Sequence, residues 1–172
     1  MGNGPGGETA LDFGRDPMTD ETCWPAPVLA LLEEQRAMTV AIADEKGPWA
    51  APVYYIWEGR QFFFLSSPRA RHVAALAPGE VKPAAVTIAR APADYRQIAG
   101  LQMAGTLSLV EGLPERAARF VLFGRRFDFF QRFLTEPALA LTLSKTALYR
   151  FTAESCCWVD NERAFGERTG LF

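Results

Sequence analysis

The sequence predicts a mostly β fold with α additions, a six- to seven-stranded antiparallel β-barrel. Short strand signals follow one another at even spacing and are joined by tight turns, which is typical of a meander. Helical patterns separate only some of the strands, so the β–α alternation of a Rossmann-type sheet is missing. A chain of 172 residues can form one domain with a sizeable core. We expect a flexible arm at residues 1–24, rich in Gly, Asp, Thr and Pro, and a single domain at residues 25–172.

The first half of the domain reads as one helix followed by a three-stranded meander. Apolar residues on one face predict the helix at Pro25–Arg36. The meander strands are predicted at Met38–Asp44, Ala50–Trp57 and Gln61–Leu65, with turns at Lys46-Gly47 and Glu58-Gly59. Pro52 interrupts the second strand, so we expect that strand to be bulged or to lie at an edge there.

The second half contains longer elements. A stripe of phenylalanines at spacings of three and four predicts packing rather than a cofactor box. Gly124 and Asp128 are candidate breaks in that helical region. Glycines 100 and 105 inside a strand mark a bend or a close approach. The predicted elements are a helix from Pro68 to Ala77, strands at Ala84–Ala89 and Ile98–Val110, a helical region at Pro114–Leu134, and strands at Thr146–Thr152 and Cys156–Val159.

Composition excludes several classes of function. A net charge of −2 argues against a nucleic-acid partner. No apolar run has membrane-spanning length, so we expect no membrane association. Three cysteines without a C-x-x-C motif fit a reducing cytoplasm and argue against a zinc site or a disulfide framework. The single histidine, His72, rules out a multi-histidine metal site, and neither a G-x-S-x-G motif nor a Walker loop is present. Bound-cofactor chemistry is therefore the best-supported class, and no catalytic side chain is identified.

The stretch Phe62–Ala77 is the strongest candidate for a binding site. A buried strand runs into Ser66 and Ser67, and Ser67 is a suitable N-cap for the helix predicted from Pro68. Three cationic or potentially cationic side chains follow, where the positive end of a helix dipole disfavours them. A bound anion would offset this cost, and our leading hypothesis is a cofactor phosphate. The alternative is that these side chains, Arg69, Arg71 and His72, simply point into solvent.

The segment Phe64–His72 resembles the one that follows the third strand in pyridoxamine 5′-phosphate oxidase-like proteins, the FMN-binding split barrels. In that family this segment holds the FMN phosphate. The resemblance places Ser66 on the hydroxyl position and Arg71 on the arginine. His72 stands in place of the family's lysine and Ala70 in place of its serine.

Further positions match the family outside this segment. Pro52, Val53 and Tyr54 match its flavin-lining strand, and Gln102 lies in the strand whose polar residue reaches the flavin of the partner subunit. Trp158 is a weaker candidate for lining the flavin. The pairs Asp160-Asn161 and Phe165-Gly166 resemble the C-terminal residues of an uncharacterised branch of the superfamily. The substrate-binding Arg-x-His of true pyridoxamine 5′-phosphate oxidases is absent, so that activity is not expected.

The resemblance implies a split barrel that forms a homodimer with two FMN sites at its interface. The residues implied to bind the cofactor are Pro52, Val53, Tyr54, Ser66, Ser67, Arg69, Arg71, His72, Gln102 and Trp158. Three functions remain open: an FMN-dependent oxidoreductase acting on an unknown small molecule, a non-catalytic module that binds flavin or another small molecule such as haem, and a dimeric barrel that has lost its cofactor.

Overall fold

The computed structural model describes residues 24–74, 76–90 and 92–172. Its strands form one antiparallel sheet in the order β3-β2-β1-β4-β5-β6-β7, and β3 also pairs with β6. Six strands therefore form a partly closed ring, which confirms the predicted split β-barrel. The strands are β1 (Ala37–Asp44), β2 (Gly47–Glu58), β3 (Gln61–Ser66), β4 (Val81–Arg90), β5 (Ala99–Leu109), β6 (Ala147–Asp160) and β7 (Arg168–Gly170).

Strand β2 explains why the sequence tolerates a proline at position 52. Its first part, Gly47–Tyr54, pairs only with β1, whereas its last part, Tyr55–Glu58, pairs only with β3. Pro52 therefore lies at a local sheet edge, where a missing N–H leaves no ladder hydrogen bond unmade. This confirms the predicted edge position.

Strand β6 replaces the two strands predicted at the C-terminus. Its early residues pair with β3, its late residues pair with β7, and β5 runs along nearly all of it. The register of β5 against β6 shifts at Ala104/Gly105. A Cβ at Gly105 would lie 2.0 Å from the carbonyl oxygen of Thr152, so this close approach requires glycine, as predicted.

The barrel core is rich in aromatic side chains. Tyr55, Phe62, Phe64 and Phe151 are fully buried there, and α1 (Ala26–Glu34) packs its apolar face onto the same cluster. Trp24 is buried in this core and donates a hydrogen bond from Nε1 to the carbonyl oxygen of Gly59 at 2.8 Å. The remainder of the predicted arm lies outside the described residues.

Three helices between β5 and β6 cover the outside of the ring: α2 (Leu113–Arg126), α3 (Asp128–Thr135) and α4 (Pro137–Ser144). The predicted helical region thus breaks at Phe127, beside the candidate break Asp128, and α4 was not predicted. We call the six phenylalanines of these helices and their junction the aromatic layer. Phe120, Phe123, Phe127 and Phe130 of this layer pack with Ile56, Phe63 and Leu148 as a second core, which confirms the packing role predicted for the stripe. The layer consists of Phe120, Phe123, Phe127, Phe129, Phe130 and Phe133.

The helix predicted from Pro68 is wrong: the described residues of this stretch form successive turns. The N–H groups of Ala70, Val73 and Leu76 each donate to the carbonyl oxygen three residues earlier. Ala70, Val73 and Leu76 also pack against the barrel core. This three-residue repeat suits i→i+3 turns better than the 3.6-residue period of an α-helix.

Among the described residues, no helix is long and apolar enough to cross a membrane.

Candidate cofactor-binding site

The polar segment, Ser66–His72, leaves the end of β3 and contacts the turn that joins β1 to β2. The structure gathers all five cofactor-binding candidates of this stretch there: Ser66, Ser67, Arg69, Arg71 and His72. Because no helix begins at Pro68, a helix dipole does not contribute, and the site depends on side chains and turn N–H groups.

Arg71 is already engaged by the protein. Its Nε and Nη2 donate to the two carboxylate oxygens of Asp44 at 2.8 and 2.7 Å, and Nη2 also donates to the carbonyl oxygen of Gly47 at 3.0 Å. The guanidinium carbon lies 4.8 Å from the ring centroid of Trp49. The hydrogen bond from Arg71 holds the pKa of Asp44 at about 2. Three of the five guanidinium N–H groups are thus engaged, so Arg71 can offer an anion only Nη1 unless it gives up part of this bonding.

Sequence reasoning missed Asp44. One local signal was available, because Asp44 precedes the Lys46-Gly47 turn and its Oδ1 accepts a hydrogen bond from the Lys46 N–H at 2.8 Å. That signal predicts a turn but not a partner for Arg71. The two residues are 27 positions apart, and only the fold brings them together.

His72 forms a hydrogen-bonded pair with Ser66. The Nε2 of His72 lies 3.0 Å from the Oγ of Ser66, and the imidazole centroid lies 6.0 Å from that of Phe64. Burial lowers the pKa of His72 from its ordinary value, which favours the neutral imidazole. A nearby phosphate would have to reverse this shift.

Ser67 and Arg69 lie on the exposed side of the polar segment. The Oγ of Ser67 accepts a hydrogen bond from the Arg69 N–H at 3.3 Å and so caps the turn. Within the described ranges, the Arg69 guanidinium has no hydrogen bond or ion pair. The Arg69 guanidinium is thus free to bind an anion, whereas that of Arg71 already bonds to Asp44 and Gly47.

Pro52 on β2 and Gln102 on β5 lie on the outer face of the sheet, whereas Val53 packs against the barrel core. Pro52 pairs with Thr39, Thr39 with Thr87, and Thr87 with Gln102, which forms one row across four strands. Pro52 and Gln102 are exposed, and β1 and β4 separate them within one chain. Gln102 is therefore not brought to the strand that carries Pro52.

The next row on this outer face consists of small uncharged side chains. Successive strand pairings align Ala50, Ala41, Ala85, Ala104 and Ser155, which are exposed or half-buried. Side chains this small and uncharged allow another surface to approach the strands closely.

Val53 and Tyr54 follow Pro52 on β2. Val53 is half-buried, whereas Tyr54 is 55% exposed. The Tyr54 ring lies 5.3 Å from that of Phe127 and 5.1 Å from that of Phe129, measured between centroids. Tyr54 therefore marks the border between the open sheet surface and the aromatic layer.

Trp158 is not gathered with the polar segment. It is buried in the barrel core near the late end of β6, whereas Ser66 pairs with Ala147 at the early end. Its Nε1 is buried and has no hydrogen-bond partner among the described residues. Trp158 also lines two small cavities beneath α1, together with Pro27 and Asp160.

Comparison with known structures agrees with this fold. The haem storage protein HutZ from Vibrio cholerae shares 18% identity over 74% of this chain and 88% of its own, with a TM-score of 0.58. An FAD-binding protein from Mesorhizobium loti shares 16% identity over 77% of this chain and 92% of its own, with a TM-score of 0.53. A pyridoxamine 5′-phosphate oxidase-like protein from Listeria innocua shares 17% identity over 78% and 96%, with a TM-score of 0.56. At these identities the likeness concerns the fold alone.

Comparison of the sequence identifies the family. No match was found among curated proteins. The profile of the family described as pyridoxamine 5′-phosphate oxidase matches residues 25–155, which include β1 to β5, the polar segment and most of β6. The chain belongs to the pyridoxamine 5′-phosphate oxidase-like family.

Proposed function

We propose that this protein binds FMN as a homodimer and acts as a flavin-dependent oxidoreductase on a small molecule. The observation that carries the proposal is the polar segment, which places two hydroxyls, two arginines and an imidazole at the end of β3. FMN would supply the electron-transfer chemistry that these side chains lack.

The residues of the polar segment fit a phosphate. Ser66 and Ser67 offer hydroxyl donors, and Arg69 offers an unengaged guanidinium. Arg71 would join them by turning from Asp44 to the phosphate, which exchanges one charge-assisted pair for another. Ala70 lacks the hydroxyl of the serine that the family has at this position. The remaining groups therefore contribute a larger share of the phosphate binding than in the family pattern.

The homodimer is supported by the outer face of the sheet. A second copy packed against the small, uncharged row would bury it without removing a charge from water. The partner subunit would then bring Gln102 to a site that Gln102 cannot reach within its own chain. We also propose a cytoplasmic location, because the cysteine content suits a reducing compartment.

The first test is titration of the purified protein with FMN, followed by its visible spectrum and flavin fluorescence. We expect saturable binding, and Arg71→Ala should weaken it about tenfold because a charge-assisted contact is lost. The matched control is Arg96→Ala, which removes another exposed arginine bonded to an aspartate, Asp94. Equal affinity in both variants would remove Arg71 from the site, and no FMN uptake by the wild type would overturn the proposal.

Anaerobic addition of NADH or NADPH to the FMN-loaded protein then separates an enzyme from a binding module. Bleaching of the flavin supports the oxidoreductase. Persistent colour with both donors favours a non-catalytic flavin module.

Haem binding is the second candidate, because the similar protein HutZ stores haem. The only imidazole in this chain is His72, and its Nε2 is paired with Ser66. Ligation of haem iron through Nε2 would therefore require His72 to give up that bond. Titration with haemin, monitored at the Soret band in the wild type and in His72→Gln, tests this directly. Uptake of neither FMN nor haemin would favour a barrel that has lost its cofactor.

A further inference from the structure

A cavity of about 200 Å³ lies between the sheet and the aromatic layer. Tyr54 and Leu65 form its sheet side, and Phe129, Phe133 and Leu143 contribute to its helical side. We call this cavity the aromatic pocket. It lies outside the ring of strands, whereas the polar segment continues from the end of β3.

The uncharged lining of the aromatic pocket disfavours charged ligands. None of the described residues that line it carries a charged side chain. The Thr146 hydroxyl in the lining already donates to the carbonyl oxygen of Leu143 at 2.7 Å. The Tyr54 hydroxyl has no hydrogen-bond partner in the described part of the chain, so it can serve one polar substituent of a ligand. An ionic ligand would lose its hydration in this pocket without gaining a counter-charge.

The size of the pocket favours a small molecule. An apolar protein cavity of about 150 Å³ is sufficient to bind benzene, whereas drug-sized ligands occupy pockets of about 300 Å³ or more. The ring centroids of Phe130 and Phe133 are 6.2 Å apart, with only 20° between the ring planes. With Tyr54, Phe123 and Phe129, these rings make most of the lining aromatic, which favours an aromatic ligand.

Two aromatic side chains of the lining are open to solvent. Tyr54 is 55% exposed and Phe129 is 40% exposed, although their rings are in contact. A ligand that covers these rings would remove apolar surface from water and so gain affinity.

We propose that the aromatic pocket binds a small uncharged molecule of one or two aromatic rings. Tyr54 lines this pocket and also matches the flavin-lining strand of the family, so we assign the pocket to the substrate. That assignment to the substrate rests on the proposed flavin function, whereas binding itself does not.

The test uses flavin-free protein and 2-naphthol as the probe, with binding followed by isothermal titration calorimetry. The filling variant is Leu143→Trp, and its matched control is Leu141→Trp. Both leucines lie on α4, but Leu141 is 59% exposed and is not part of the lining. We expect saturable binding to the wild type and to the control, and at least about tenfold weaker binding to Leu143→Trp, because the side chain occupies the pocket.

A second pair of variants tests the same pocket in case Leu143→Trp does not fold. Phe129→Ala removes an exposed ring of the lining and should weaken 2-naphthol binding about fivefold, whereas Val121→Ala, at an exposed position on α2, should leave it unchanged. In the wild type, 2-naphthalenesulfonate should bind at least about tenfold more weakly than 2-naphthol. No saturable 2-naphthol binding, or equal affinity in both variants of a matched pair, would overturn the pocket. FMN titration of the same protein remains a separate measurement, so failure of one proposal is distinguishable from failure of the other.

Discussion

The two faces of β3 lead to regions of opposite character. Phe62 and Phe64 point into the barrel core, and this face ends at the polar segment. Phe63 and Leu65 face the aromatic layer, and that face ends at the aromatic pocket. In the polar segment Ser66 is paired with His72, and Arg71 is paired with Asp44 of β1, whereas the aromatic pocket has open apolar walls. The difference teaches that the apolar region is ready to receive a ligand, while the polar region must exchange internal partners before all of its charged groups can contact one.

The largest expected effect concerns the aromatic layer as a second core. Phe123 is 2% exposed, so Phe123→Ala should reduce the free energy of unfolding by about 3–5 kcal/mol through lost burial and a new cavity. Phe129→Ala is the control, because its ring is 40% exposed and should cost less than about 1.5 kcal/mol. Urea denaturation followed by tryptophan fluorescence measures both. Equal losses in the two variants would show that the layer does not behave as a core.

The next effect tests whether Asp44 competes with the cofactor for Arg71. Asp44→Asn removes a negative charge beside the expected phosphate and weakens the hold on Arg71, so FMN affinity should rise about three- to fivefold. Fluorescence titration measures this change. Asp94→Asn is the matched control, since Asp94 forms a comparable exposed pair with Arg96 outside the polar segment.

Weaker FMN binding by Asp44→Asn would change the interpretation of this pair. It would show that Asp44 positions Arg71 for the phosphate rather than withholding it. The double variant Asp44→Asn with Arg71→Ala separates the cases, because competition through Arg71 predicts that Asp44→Asn has a smaller effect once Arg71 is absent.

The sequence predicted the apolar architecture better than the polar site, for physical reasons. Strand alternation and the phenylalanine stripe are local periodic signals, so β1 to β5 and the packing role of the aromatic layer followed directly. The stretch from Pro68 carried good helix-start residues, but its contacts with the barrel favoured successive turns, and tertiary packing overrides weak propensity. The ion pair of Arg71 with Asp44 depends on a tertiary contact between segments that are distant in sequence, and no local pattern encodes that contact. The same holds for the continuity of β6, which is supported by its pairing with β5.

The smallest expected effect concerns the protonation of His72. Burial places the pKa of His72 below its ordinary value of 6.5. Without ligand, the buried neutral imidazole therefore contributes to the stability of the fold above pH 6.5. This contribution to stability is lost as the pH falls through the lowered pKa. A bound phosphate should raise the pKa of His72, because it favours the imidazolium. FMN binding should then take up a fraction of a proton near pH 6.5 and become tighter as the pH falls from about 8 to about 6.5, a range in which the phosphate keeps most of its double charge. The Ser66 hydroxyl both donates and accepts, so its bond to His72 can persist in either state.

Isothermal titration calorimetry in two buffers of different ionisation enthalpy counts the protons taken up when FMN binds. His72→Gln is the control, since it keeps a polar side chain but cannot titrate, and it should abolish the uptake that belongs to the imidazole. Proton uptake that is equal in wild type and His72→Gln would assign the titration to a group other than His72. His72 would then remain a neutral partner of Ser66, and the phosphate would depend on Arg69 and Arg71 for its positive charge. That outcome would sharpen the contrast between the two faces of β3, because the polar face would then offer the cofactor even less free charge.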